Sequence, residues 1–103
     1  MATGQQVARV GDVCTGTCTA HPTPRPFTAI IATGSPTSRA DGQSIACVGS
    51  VGSTDCGHTI EVVSGSAVAR ADGIPIARIG DVVIVVEGGD GIIVSGSPTT
   101  TSL

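Results

Sequence analysis

Gly34-Ser35-Pro36-Thr37-Ser38-Arg39-Ala40-Asp41-Gly42 recurs 31 positions later as Gly65-Ser66-Ala67-Val68-Ala69-Arg70-Ala71-Asp72-Gly73. The match runs on through Ile45-Ala46-Cys47-Val48-Gly49 against Ile76-Ala77-Arg78-Ile79-Gly80. It also runs backward, with Ile31-Ala32-Thr33 against Val62-Val63-Ser64. A third copy is split between the two ends of the sequence. Ile93-Val94-Ser95-Gly96-Ser97-Pro98-Thr99 supplies its first half, and Val7-Ala8-Arg9-Val10-Gly11-Asp12 its second. Extending both halves puts Leu103 at the place of Asp72 and Gly4 at the place of Gly73.

Asp41-Gly42 and Asp72-Gly73 are two-residue hairpin signals, because both central positions of a type I′ turn need a positive φ. Each copy therefore reads as strand, Asp-Gly turn, strand. The split copy brings the two ends of the sequence together, so that the last strand pairs beside the first. Closure of that kind removes exposed strand edges. The repeats are rich in Val, Ile, Thr and Ser, poor in strong helix formers and full of Gly, so essentially no helix is expected. Pro36, Pro75 and Pro98 fall where strand starts and edges tolerate proline.

Three connecting segments remain and read as loops. The first spans about residues 13 to 30, the second about 50 to 61 and the third about 82 to 91. The apolar run Val82-Val83-Ile84-Val85-Val86 in the third reads as core or partner contact. The 103 residues make one domain, 1–103. Phe27 is the one aromatic residue, so core volume comes from Val, Ile and Ala, and such a small core gains from a cross-link. Five Arg, no Lys and eight carboxylates, with no interleaved aromatics, argue against nucleic-acid binding. No apolar run reaches the length of a membrane helix, and MATGQQVARV has neither the basic start nor the apolar stretch of a secretory signal.

Four cysteines remain: Cys14, Cys18, Cys47 and Cys56. Two clusters carry metal chemistry, Cys14-Thr15-Gly16-Thr17-Cys18-Thr19-Ala20-His21-Pro22 and Asp55-Cys56-Gly57-His58. Both fall in segments that a threefold arrangement places at one end. Cys18, His21, Cys56 and His58 form a Cys₂His₂ set, whose thiolates and imidazoles suit one structural zinc. Cys14 can replace Cys18 in that set. Cys47 stands at an arginine position of the repeat and reads as a small buried hydrophobe. A Cys18–Cys56 disulfide with both histidines solvated, and free thiols or another metal, remain open as alternatives.

Asp72-Gly73-Ile74-Pro75-Ile76-Ala77-Arg78-Ile79-Gly80-Asp81 resembles the signature of the PAAR-repeat family, whose Pro-Ala-Ala-Arg motif corresponds to Pro75-Ile76-Ala77-Arg78. Gly34-Ser35-Pro36 and Gly96-Ser97-Pro98 look like the family's companion element, and the resemblance covers nearly the whole chain. It implies an all-β, conical, pseudo-threefold arrangement of three β-hairpin repeats with a metal, usually zinc, near the vertex. It implies a tip that caps a trimeric β-helical spike, one tip per trimer, in type VI secretion systems, contractile phage tails or related injection particles. Such a tip is assembled in the bacterial cytoplasm, delivered outward and driven into a target cell envelope. The sequence departs from the pattern at Gln43 and Ile74, where a Lys often follows the turn Gly, in keeping the motif's first Pro in one copy only, at Cys47 in place of Arg, and in having only two histidines where three are the family's common ligands.

Further expectations concern charge and chemistry. Asp12 and Asp81, with Arg9, Arg78, Arg39 and Arg70, are expected to make repeated contacts that fix the hairpins. A metallohydrolase with Asp55 as base needs an open coordination position and more acids than these segments offer, so no enzyme is expected. A disulfide-stabilised binding module on a particle surface is the alternative function.

Overall fold

Asp41 and Gly42 have φ of 53° and 79°, and Asp72 and Gly73 have 53° and 78°. These are the positive values that a type I′ turn demands. The computed structural model describes residues 5–97 and 100–102. In chain order its strands are β1 (Gln5–Gln6), β2 (Val13–Cys18), β3 (Arg25–Ile31), β4 (Arg39–Ala40), β5 (Gln43–Ser44) and β6 (Val51–Thr54). They continue as β7 (Thr59–Val62), β8 (Arg70–Ala71), β9 (Ile74–Pro75), β10 (Val82–Val85), β11 (Gly89–Ile93) and β12 (Thr101–Ser102). No helix occurs among the described residues.

The two Asp-Gly turns join β4 to β5 and β8 to β9, ribbons of two residues per strand. Between the chain ends, Gln5 pairs with Ser102 and Gln6 with Thr101, as the split repeat predicts. Gly4 and Leu103, assigned to the third turn, lie outside the described residues, as do Pro98 and Thr99.

The segments expected to be loops are strands, and they carry the main sheet. Strands β2, β3, β6, β7, β10 and β11 pair antiparallel in that order, and β11 closes back on β2. The result is a six-stranded barrel without a free edge. Its inward positions explain why sequence reading overlooked it. Cys14 and Cys18 on β2, Ala29 on β3 and Thr54 on β6 are buried, whereas Gly16 and Gly52 bring no side chain at all. With Phe27, Ile31, Ile60, Val62, Val83, Val85 and Ile93 filling the rest of the interior, the inner faces of β2 and β6 are small, and alternation there is weak as a hydrophobic signal. The run Val82–Val86 is only half core: Val83 and Val85 point inward, while Val82, Ile84 and Val86 are exposed.

Because neighbouring strands run antiparallel, the β2–β3, β6–β7 and β10–β11 turns all lie at one end. The repeat segments cross at the other end. There three short stretches meet, and Val7 bridges Arg78, Arg9 bridges Ile45, and Cys47 bridges Ile76. Ala8 N donates to Ala77 O, Ala46 N to Ala8 O, and Ala77 N to Ala46 O, each at 2.9 Å. The donor–acceptor pattern is a closed ring. All three alanines are completely buried, so the repeat's Ala position is the one where three backbones converge. Below the ring, Ile31, Val62 and Ile93 fill equivalent places in the core. Burying each such side chain is worth about 1.5–3 kcal/mol.

Two of the three copies lock this crossing with an ion pair. Arg9 forks onto Asp12 and Arg78 onto Asp81, while each carboxylate also accepts the backbone N–H of its arginine. Arg39 and Arg70 do something more local: each donates to the carbonyl of its own turn glycine, Gly42 or Gly73. Arg78→Glu should lower stability by about 2 kcal/mol, because it sets a second carboxylate against the nearly buried Asp81. For a domain of this size that is a fall of about 10 °C in Tm by calorimetry. An unchanged Tm would reduce the pair to solvated charge.

Candidate metal centre

Cys18 is the last residue of β2, and His21 follows in the turn to β3. Cys56 and His58 flank Gly57 in the tighter turn from β6 to β7. Gly57 has φ of 85°, which lets this turn double back within a few residues. Thr54 anchors the same turn. Its Oγ1 accepts the His58 N–H at 2.8 Å and lies 3.1 Å from the Cys56 sulfur. Two neighbouring hairpins therefore aim two donors each at one point, where the sequence clusters were expected to meet.

One donor atom from each of Cys18, His21, Cys56 and His58 lies within 4.8 Å of all the others. Cys18 Sγ is 3.2 Å and Cys56 Sγ 3.6 Å from His58 Nδ1. A tetrahedron with Zn–N and Zn–S bonds of about 2.0–2.3 Å has edges of about 3.3–3.8 Å. The two imidazole centroids are 4.9 Å apart with the rings tilted by 50°. His21 Nε2 is buried and has no hydrogen-bond partner. A buried, unpaired ring nitrogen costs about 1–3 kcal/mol unless something satisfies it, and a cation does so. The donor set, the spacing and the orphaned nitrogen fit one metal ion.

The surroundings favour thiolates once a cation is present. Burial raises the Cys18 thiol above its usual value, the Ala20 backbone N–H lowers it, and the Cys56 sulfur raises it again. Two adjacent thiolates repel, and a dication removes that repulsion. The third hairpin turn brings no ligand. It brings Glu87, whose carboxylate accepts the Thr59 N–H at 3.2 Å and is lowered by that bond first and by His58 among lesser causes. Thr54 and Glu87 escaped the sequence reading. The spacing Thr-x-Cys-x-His holds a signal only for a turn whose first residue caps it.

The other candidates sit elsewhere. Cys14 points into the barrel, where burial and then Asp12 push its thiol up to about 11, and it is outside the metal set. Cys47 is buried among Val7, Ala40, Ile45 and Ala71, as its place in the repeat predicts. Asp55 accepts the Thr28 N–H at 3.2 Å, tying the second hairpin to the first rather than serving the centre. All four cysteines are free thiols in this structure. No protein-family model and no curated protein matches this chain.

Proposed function

We propose that this chain is the structural, metal-stabilised tip that caps and sharpens a trimeric, membrane-puncturing spike of a contractile injection apparatus. The observation that carries the reading is the ring of Ala8, Ala46 and Ala77: one chain presents three equivalent backbone segments around a common centre. A single chain of that kind can sit on the blunt threefold end of a homotrimer without a symmetry mismatch. The resemblance of the repeats to the PAAR signature points the same way. In this reading the two Asp-Gly ribbons, the paired chain ends and the exposed aliphatic residues of the barrel, such as Ile30, Val51 and Ile92, form the wide docking end. The turns carrying Cys18, His21, Cys56 and His58 form the narrow end, and the body tapers as a cone between them.

Zinc is the ion that this donor set favours. Bound there, it cross-links two hairpin turns where a tapering body has almost no interior to bury. Four protein donors leave no position for a reacting water, so the ion's role is mechanical and the chain is not an enzyme. Thr54 and the Ala20 N–H hold the two sulfurs in place from behind.

Native mass spectrometry of this chain co-purified with a trimeric β-helical spike protein tests the assignment. One tip per three spike chains, with one zinc per tip, is the expected result. A one-to-one complex, or no complex, overturns it.

A further inference from the structure

The three copies of the crossing differ at one place, and a cavity opens there. Arg9 and Arg78 are replaced by Cys47, and their partners Asp12 and Asp81 by Ser50. Ser50 Oγ still accepts the Cys47 N–H at 3.0 Å, so the backbone cap survives while the guanidinium and its carboxylate are both gone. The surrounding groups are unchanged. Around Arg9, Nη1 donates to Asp41 at 3.3 Å and Nη2 to Gly96 O at 3.3 Å, and Asp41 Oδ2 also accepts the Ser97 hydroxyl. The equivalent residues around Cys47 are Asp72, Gly34 and Ser35. Asp72 accepts the hydroxyls of Ser35 at 2.5 Å and Thr37 at 2.6 Å, bonds that keep its carboxyl ionised below the usual range. Among the described residues no arginine reaches it. Instead Gly34, Ser35, Cys47, Ser50, Asp72 and Ile74 line a cavity of ≈ 270 Å³. Asp72 and Ile74 are exposed, so it opens to solvent.

We infer that this cavity is a binding slot for the guanidinium of an arginine side chain from a partner protein. The chain's own Arg9 crossing shows the fit. Asp41 Oδ2 takes a serine hydroxyl and a guanidinium N–H together, with a glycine carbonyl accepting the other end of the fork. Asp72 has the same hydroxyl bond and keeps an acceptor position for such a donor. A planar fork that bonds carboxylate and carbonyl together selects arginine over lysine. The slot stands on this internal comparison and on the cavity alone, whether or not the chain caps a spike.

The probe is N-acetyl-arginine-N-methylamide titrated into the metal-loaded chain and followed by ¹H–¹⁵N spectra. Saturable shifts are expected at the amides of Gly34, Ser35, Cys47 and Asp72. The lysine counterpart should bind about tenfold more weakly. Cys47→Arg with Ser50→Asp rebuilds the internal pair, fills the slot and should abolish the shifts. Asp72→Asn, which tolerates the left-handed backbone, should weaken binding about tenfold and serves if the double variant fails to fold. No saturable shift, equal affinity for the lysine derivative, or full binding by the filled variant or by Asp72→Asn overturns the slot. Tighter binding of free arginine than of the blocked form overturns the assignment to a protein side chain.

Discussion

Cys18→Ser should lower the melting temperature of the metal-loaded chain by about 20 °C or more. A structural zinc contributes about 10 kcal/mol or more to a small domain, and a weakened site that forfeits even about 4 kcal/mol moves Tm that far. The size of the effect follows from what the ion joins. Without it, the β2–β3 and β6–β7 turns are connected mainly by the Asp55 and Thr28 contacts. A chelator should produce the same fall in the parent chain and little further change in Cys18→Ser. That pairing separates loss of the metal from loss of packing, because Cys14→Ser, inside the barrel, should destabilise while leaving the chelator effect intact. A parent chain that melts at one temperature with and without chelator sinks the metal reading.

Gly91→Val should cost at least about 3 kcal/mol, although valine is the better strand residue by propensity. Gly91 stands opposite Gly16 on β2, and Gly16 stands opposite Phe27 on β3. The three form one row across neighbouring strands, with Phe27 buried in the space the two glycines leave. A Cβ on Gly91 overlaps the Thr15 carbonyl and comes within 2.9 Å of the Phe27 ring. The ring can move, but the carbonyl belongs to the sheet, so β11 has to separate from β2. The readout is loss of hydrogen-exchange protection at the β2 and β11 amides, with a matching fall in Tm. Phe27→Leu in the same chain should recover only the part due to the ring. A Gly91→Val chain with parental Tm and protection would show that the barrel closes more loosely than the register implies.

The parts of this molecule that were legible in sequence are those where backbone geometry admits few residues. Asp41-Gly42 and Asp72-Gly73 announce their turns because few other pairs accept two positive φ values. The alanine positions repeat because three backbones meet there. Cys18, His21, Cys56 and His58 were legible because soft donors at short spacing have few other uses. The six barrel strands were not. Val13-Cys14-Thr15-Gly16-Thr17-Cys18 alternates in space but not in hydropathy, since its inner face is Cys, Gly, Cys and its outer face is Val, Thr, Thr. Pro26, a residue that sequence patterns associate with loops, is the second residue of β3. The change of Arg to Cys47 was visible as a mismatch in the repeat. Its meaning appeared only with the cavity that it leaves.

The pairing of Gln5 with Ser102 and of Ala8 with Ala77 also sets a timetable. As the chain is made, at roughly 5–20 residues per second, its first strand has no partner until the last one emerges. Most close residue contacts join positions a dozen or more apart in sequence, so the search for the native arrangement belongs to the slow, high-contact-order class. The β2–β3 hairpin can form early, but the ring stays open until Ala77 has left the ribosome. Truncation near residue 90 should therefore yield a collapsed, aggregation-prone chain rather than a smaller version of the same body.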